Sequence, residues 1–181
     1  MSFNKVIIGL TGTNASGKGE VANYLKLKRF QYLSLSDIIR EEADAQGIEH
    51  TRENLIKLGN ELREKHGADV LAKKTRDKIK EENVVVDSIR NLEEVKALRT
   101  LSDFIFVAVD APVKLRYERA QKRMLDRDKV SFEEFKRLEE VENFKSKTGQ
   151  QLKQCAGVAD KTIINDGTFE ELHAKIDEII K

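Results

Sequence analysis

The stretch KVIIGLTGTNASGKGE, residues 5–20, decides the fold. Residues 5–11 form a near-continuous apolar run with β-branched side chains, which predicts a buried strand at the centre of a parallel sheet. The spacing Gly12-x4-Gly17-Lys18 that follows is typical of a phosphate-binding loop that opens a helix. Backbone N–H groups of such a loop, together with the positive end of the helix, attract phosphate. The alternative is a glycine-rich turn between strand and helix, with a solvated lysine.

The loop departs from the usual pattern after Lys18, where a Ser or Thr hydroxyl normally helps to hold Mg²⁺. Here the next residues are Gly19 and Glu20. Because Mg²⁺ keeps several waters and binds through phosphate oxygens and few carboxylates, we expect the metal to be held by another part of the chain. We interpret Glu20 as a solvated glutamate that favours the helix dipole, unless the helix turns it inward. The predicted nucleotide-binding residues of this segment are Gly12, Thr13, Asn14, Ala15, Ser16, Gly17, Lys18, Gly19 and Glu20.

The rest of the chain alternates short apolar runs with helical stretches. Strands are predicted at residues 83–88, 103–111 and 160–165, with a weaker one at 30–35. This alternation predicts a three-layer α/β/α fold with a central parallel five-stranded sheet. Asn91 with Glu94 has the spacing of a capping box and predicts a helix start. We expect a single domain over residues 1–181.

Two mostly helical excursions interrupt the alternation, at about residues 37–80 and about residues 113–150. Excursions beyond a sheet are natural places for flaps that bind a substrate. We therefore expect the first to bind an acceptor and the second to act as a lid.

Composition limits the partners. The 181 residues carry a net charge of +1, which gives no support to general nucleic-acid binding. No apolar run approaches the ~18 residues of a membrane span, and the N-terminus lacks the features of an export signal. The single cysteine, Cys155, fits a reducing compartment, where we interpret it as a packing residue. We expect a cytoplasmic protein, either a monomer or a small homo-oligomer.

Asp87 ends the apolar run 83–88, where ligands of a parallel sheet bind, and is the best candidate to hold Mg²⁺ through water. A helix cap or turn is its alternative role. Arg90 follows three residues later and would either clamp a phosphate or form a surface ion pair.

Further arginines lie in the two excursions. In the first, Arg40 lies one helical turn after Asp37, which could simply cap a helix, and Arg52, Gly59 and Arg63 follow at spacings of seven and four. In the second, Arg116, Arg119 and Arg123 share one helix face, and Arg127 follows. We favour Arg119 and Arg123 as groups that stabilise a transferring phosphoryl group. A solvated face paired with Glu118 and Asp126 is the alternative.

The motifs GTNASGKG, LSLSDIIR, VVVDSIRNLEEV, VAVDAPVKLRYERAQKR and ADKTIINDGTFEEL resemble those of the nucleoside-monophosphate kinases of the P-loop superfamily. Among these, the chain is most similar to the adenylate-kinase-like and dephospho-coenzyme-A-kinase-like branch, nearly end to end. The resemblance implies ATP and Mg²⁺ as cofactors and a role for Arg40 in binding the acceptor phosphate. It also implies that Asn165, Asp166 and Gly167 line the adenine of ATP, although a helix-starting turn explains this segment equally well.

These observations predict ATP-dependent phosphoryl transfer to a nucleoside monophosphate or deoxynucleoside monophosphate. One alternative is phosphorylation of a hydroxyl, as in dephospho-coenzyme-A kinases, with Asp37 as the base. Another is a nucleotide-binding regulator or assembly factor with weak ATPase activity.

Overall fold

The computed structural model describes residues 5–123, 129–143 and 151–181. Strands and helices alternate along these residues. In chain order they are β1 Val6–Gly12, α1 Lys18–Leu27, β2 Gln31–Ser34, α2 Leu35–Ala45, α3 Arg52–His66, α4 Val70–Arg76, β3 Asn83–Asp87, α5 Leu92–Leu98, β4 Phe104–Asp110, α6 Val113–Arg123, α7 Phe132–Asn143, α8 Leu152–Gly157, β5 Lys161–Ile164 and α9 Phe169–Ile179.

The five strands form one parallel sheet in the order β2-β3-β1-β4-β5. Strand β1 is central, and its Ile8 pairs with Val85 of β3 on one side and Ile105 of β4 on the other. The predicted parallel α/β fold with five strands is confirmed, including the weaker strand at 30–35. Strand β1 is buried along most of its length, as expected for a near-continuous apolar run that is covered on both faces.

Helices cover the two faces of the sheet and bury a separate apolar cluster on each. On one face, Ile7 and Phe106 pack with side chains from α2, α3, α4, α5 and α8. On the other face, Ile8 and Leu10 pack with side chains from α1 and α9. The excursion at residues 37–80 is helical as predicted, and it is made of α2, α3 and α4.

The strand order positions the functional end of the sheet. The carboxyl end of β1 lies between the carboxyl ends of β3 and β4. The loop after β1 is therefore flanked by the residues that end these neighbours, Asp87 and Asp110. None of the helices in the described ranges combines the length and the hydropathy needed to cross a membrane.

Cys155 is fully buried in the apolar cluster of α8. Burial, together with the nearby Glu94 charge, raises the pKa of its thiol to about 12. A thiol with so high a pKa is a poor nucleophile, which agrees with a packing role.

A buried ion pair joins helix α3 to helix α5. The Nε and Nη2 atoms of Arg63 donate to Glu94 Oε1 at 3.1 and 3.0 Å, and the two side chains are 7% and 0% exposed. Glu94 Oε2 also accepts from the backbone N–H of Asn91, which completes the predicted capping box of α5. Burial raises the pKa of Glu94, and the Arg63 guanidinium opposes that shift.

We predict that Glu94→Gln, which keeps the cap, and Arg63→Met each lower the free energy of unfolding by about 3–5 kcal/mol, because each leaves an unpaired buried charge. The double variant should lose clearly less than the sum of the two, since no uncompensated charge remains. Urea unfolding of the four proteins measures this coupling. Strictly additive losses would show that the pair contributes no mutual stabilisation.

Candidate functional site

Two close approaches hold the phosphate loop in place. A Cβ on Gly12 would lie 2.1 Å from the carbonyl oxygen of Val109 in β4, and a Cβ on Gly17 would lie 2.1 Å from Nδ2 of Asn165. Gly17 also has φ 102°, which a residue with a side chain rarely adopts. Gly12 has φ 149°, so both motif glycines are required by conformation as well as by space.

Asn165, which directly follows β5, also holds the phosphate loop in place. Its Nδ2 donates to the carbonyl oxygen of Ser16 at 2.9 Å, and its side chain is buried. Its Oδ1 accepts from Nη2 of Arg119 in α6 at 3.5 Å. Asn165 thus joins the phosphate loop to α6. The next residues, Asp166 and Gly167, are exposed, and Asp166 lies 3.6 Å from Lys175 Nζ.

Lys18 is the first residue of α1, directly after the loop. Burial lowers the pKa of its amine from 10.5 to about 8, and the charges of Arg90 and Arg123 act in the same direction, whereas Asp87 opposes them. Burial and these guanidinium charges destabilise the charged form of the amine. A bound phosphate would relieve that cost.

Asp87 ends β3 and lines the same cavity as Lys18. Its Oδ1 accepts from the backbone N–H of Ser88 at 2.6 Å, and its Oδ2 accepts from the hydroxyl of Tyr32 at 3.4 Å. Ser88 has φ 66°, so the turn after Asp87 adopts a backbone conformation that glycine favours. These bonds orient the carboxylate at the carboxyl end of the strand beside β1.

The surroundings of Gly19 fit a hydrated metal ion better than a directly ligated one. A Cβ on Gly19 would meet no atom within 4 Å, so there is open space where the usual hydroxyl would stand. Among the described residues, no cluster of three or more His, Cys, Asp or Glu side chains could hold a metal ion. The Asp87 carboxylate in the cavity that the phosphate loop lines suits Mg²⁺, which binds through few protein oxygens, phosphate oxygens and water.

Asp110 contacts the phosphate loop, and it was not among the residues predicted from the sequence. Its Oδ1 accepts from the Thr13 hydroxyl at 3.2 Å and lies 3.7 Å from Nε of Arg116. Arg116 is buried and forms two hydrogen bonds with Glu139 of α7. The sequence could have indicated this residue, because Asp110 ends an apolar strand as Asp87 does. Arg116 therefore joins α6 to α7 and to the end of β4.

One cavity of about 750 Å³ gathers most of the predicted residues. Arg40, Arg90, Arg119 and Arg123 line it together with Lys18 and Asp87. From the predicted loop it includes Gly12, Asn14, Ala15, Ser16, Gly17, Gly19 and Glu20. The cavity is thus strongly cationic beside the phosphate loop.

Two atoms at this site are buried without a hydrogen-bond partner among the described residues. They are Nη1 of Arg119 and Oγ of Ser16. Buried polar groups are normally paired, so unpaired donors in a cationic cavity indicate a place for an anionic ligand. Arg123, which faces the same cavity, donates from Nη2 to Oδ1 of Asn14 in the loop at 3.1 Å.

The predicted acceptor-side residues differ in their surroundings. Arg40 lines the cavity and donates to Oδ1 of Asp37 at 2.6 Å. Arg63 also lines the cavity, but its guanidinium is held by Glu94 and by the carbonyl oxygen of Gly59. A Cβ on Gly59 would lie 2.9 Å from Cδ1 of Ile39, so this glycine permits the close approach of α3 and α2. Arg127 lies outside the described residues, and the side chain of Arg52 is not described.

Glu20 is not the free, solvated residue that the sequence suggests. Its side chain is 33% exposed, and its Oε1 lies 3.2 Å from Nε2 of His173 in α9. Because an ionised carboxylate only accepts hydrogen bonds, the Nε2–H of His173 is the donor. No local pattern signals this contact, since the two residues lie 153 positions apart.

Comparisons with known proteins agree with this geometry. The chain matches the family model described as an AAA domain over residues 11–136. It is 34% identical over 180 residues to the UPF0200 protein of Sulfurisphaera tokodaii, covering 97% of this chain and 96% of that protein. It is 35% identical over 187 residues to the UPF0200/UPF0201 protein of Archaeoglobus fulgidus, covering 99% of this chain but only 56% of that longer protein.

Solved structures share the fold at low identity. TT1252 from Thermus thermophilus has a TM-score of 0.60 at 19% identity and covers 97% of this chain and 96% of its own. Shikimate kinase from Aquifex aeolicus has a TM-score of 0.58 at 17% identity and covers 96% of this chain and 95% of its own. These structures establish a P-loop kinase-like fold for the chain.

We predict that nucleotide binding depends on pH, because the pKa of Lys18 is lowered. The amine is already charged below about pH 8, and bound phosphate raises its pKa, so binding of ATP should take up a proton only as the pH rises above that value. Affinity should then fall by up to about tenfold per pH unit. Calorimetry in two buffers of different ionisation enthalpy, at about pH 7.5 and about pH 9, measures the uptake.

The control is Lys18→Arg, whose guanidinium stays charged throughout this range. It should bind ATP without proton uptake at either pH. Equal uptake by both proteins, or no uptake by the unmodified protein at the higher pH, would contradict the assignment.

Proposed function

The chain belongs to the UPF0200 protein family and carries an AAA domain, and we propose that it is an ATP-dependent kinase that phosphorylates a nucleoside monophosphate or a deoxynucleoside monophosphate. The observation that carries this proposal is the single cavity in which the phosphate loop and Lys18 face Arg40, Arg90, Arg119 and Arg123. Such a concentration of positive charge suits two phosphate-bearing molecules held end to end.

In this proposal the phosphates of ATP lie in the loop, at the N-terminus of α1. Lys18 contacts the terminal phosphate, and Asp87 would hold Mg²⁺ through water. Bound Mg²⁺ would neutralise negative charge on the phosphate oxygens. Arg119 and Arg123, from α6, stabilise the transferring group, and their bonds to Asn165 and Asn14 orient them toward the loop.

The acceptor lies on the side of α2 and α3. Arg40 binds its phosphate, with Arg90 beside it, while Arg52 remains a further candidate from the sequence. Ile39, Leu55 and Ile56 give this side an apolar wall. An apolar wall with polar groups at its edge suits a flat nucleobase.

Polar side chains at that edge would form hydrogen bonds to the base. His50 and Asn60 both line the cavity, and neither stood out in the sequence. His50 Nε2 lies 2.8 Å from Oδ1 of Asp44, and the second candidate is the side-chain amide of Asn60. The amide carries both a donor and acceptors, as recognition of a base edge requires.

A phosphate acceptor is better supported than a hydroxyl acceptor. A hydroxyl would need a general base, for which Asp37 is the sequence candidate. Its carboxylate is held by Arg40 at 2.6 Å. The cavity lining that α2 contributes, within the described part of the chain, is Leu35, Ser36, Ile39 and Arg40. A phosphate acceptor needs only position and charge, because it is already ionised.

The test is release of ADP from Mg²⁺–ATP with a panel of ribo- and deoxyribonucleoside monophosphates and dephospho-coenzyme A. We expect turnover with at least one monophosphate, loss of turnover in Lys18→Ala, and in Arg40→Ala a rise of about 10- to 100-fold in the KM for the acceptor, since a charged contact is lost. Lys57→Ala is the matched control, because this lysine on α3 is exposed and pairs only with Glu61 among the described residues.

Two other outcomes would overturn the proposal. Turnover with dephospho-coenzyme A alone would indicate a hydroxyl acceptor. Tight binding of ATP without turnover on any acceptor would indicate a nucleotide-binding regulator.

A further inference from the structure

Glu20 places a carboxylate beside the phosphate loop, where it would repel a bound phosphate. It is the third residue of α1, two positions after Lys18, and it lines the same cavity as the loop. A negative charge a few ångströms from a bound polyphosphate costs about 1–4 kcal/mol for each pair of charges at 4 Å. An acidic side chain at this position therefore needs a different partner.

A stack of aromatic rings holds this carboxylate toward α9. The imidazole of His173, which contacts Glu20, lies on the ring of Tyr24 with centroids 3.8 Å apart and planes at 7°. The Tyr24 hydroxyl donates to Asp177 at 3.0 Å, and Lys28 pairs with the same carboxylate at 2.8 Å. Glu20 is thus fixed between α1 and α9 rather than free to turn toward solvent.

The proposed function leaves one side of the loop for the donor nucleoside. With the acceptor on the side of α2 and α3, the nucleoside of ATP would extend on the side of α9. Asn165 fastens the segment between β5 and α9 to the loop on that side, and Arg119 contacts Asn165. Glu20 faces this side through His173.

The sugar is the part of the donor that suits a carboxylate at this position. A carboxylate accepts hydrogen bonds and cannot donate them, so it binds hydroxyl or amino groups. The sugar is joined directly to the innermost phosphate, and Glu20 is only about 3 Å further along the helix than Lys18 at 1.5 Å per residue. The amino group of a base would lie beyond the sugar.

We propose that Glu20 accepts a hydrogen bond from a ribose hydroxyl of the nucleoside triphosphate donor and thereby selects ribonucleotide over deoxyribonucleotide donors. The proposal rests on the proposed function, because it assigns the donor side of that site. His173 occupies only one position on the carboxylate, which has room to accept several hydrogen bonds. Acidic side chains bind ribose hydroxyls in the same way in dinucleotide-binding folds.

The test compares the dissociation constants of ATP, 2′-deoxy-ATP and 3′-deoxy-ATP, measured by calorimetry with Mg²⁺ and without an acceptor. The unmodified protein should bind ATP about 10- to 100-fold more tightly than at least one deoxy analogue, because one hydrogen bond to a charged group is lost. In Glu20→Ala, ATP should bind as weakly as that analogue does, and the affinity for the analogue should be unchanged or higher.

Glu170→Ala is the matched control. It removes the same charge from the first turn of α9 at an exposed position, and it should keep the full preference for ATP. Equal binding of ATP and both analogues by the unmodified protein would overturn the proposal. An equal loss for ATP and its analogues in Glu20→Ala would overturn it too, since that result indicates a purely structural role.

The outcomes separate this proposal from the proposed function. A ribose preference that depends on Glu20, in a protein without turnover, supports the ribose contact and contradicts the kinase reaction. Turnover without any ribose preference supports the kinase reaction and contradicts the ribose contact. Failure to bind any nucleotide contradicts both.

Discussion

The phosphate loop depends on two places where no side chain fits. Gly12 lies against the backbone of β4, and Gly17 lies against the amide of Asn165 at the end of β5. The loop is thereby fixed to two strands of a sheet whose interior is fully packed. Asn165 extends this arrangement to α6 through Arg119. The same Asn165 amide that excludes a side chain at Gly17 therefore also contacts α6.

Positive charge in the cavity has an energetic cost that a ligand would offset. Burial and two nearby guanidinium groups destabilise the charged form of Lys18. Nη1 of Arg119 is buried without a partner among the residues described. A charged or polar group that the fold destabilises and a ligand would stabilise is typical of a binding site.

Local patterns were sufficient for the fold and for part of the site. The inner strands β1, β3 and β4 were predictable because a strand covered on both faces is a near-continuous apolar run, and the positions of Lys18 and Asp87 follow from such runs. The edge strand β2 is less buried, and its sequence pattern was correspondingly weaker. Contacts between distant segments were not predictable. Glu94 pairs with Arg63 across 31 positions, and His173 contacts Glu20 across 153. No local sequence pattern indicates either of these pairs, so only the tertiary structure reveals them.

The central claim is that one cavity holds a nucleotide donor and a nucleotide acceptor together, and a bisubstrate compound tests it most directly. Two nucleosides joined through a pentaphosphate bridge would occupy both halves at once. Calorimetry should show one molecule bound per chain, at least about 100-fold more tightly than ATP, because the second half binds at a high effective concentration. Both ATP and the preferred monophosphate should displace it. Binding no tighter than that of ATP, with displacement by ATP alone, would contradict the account.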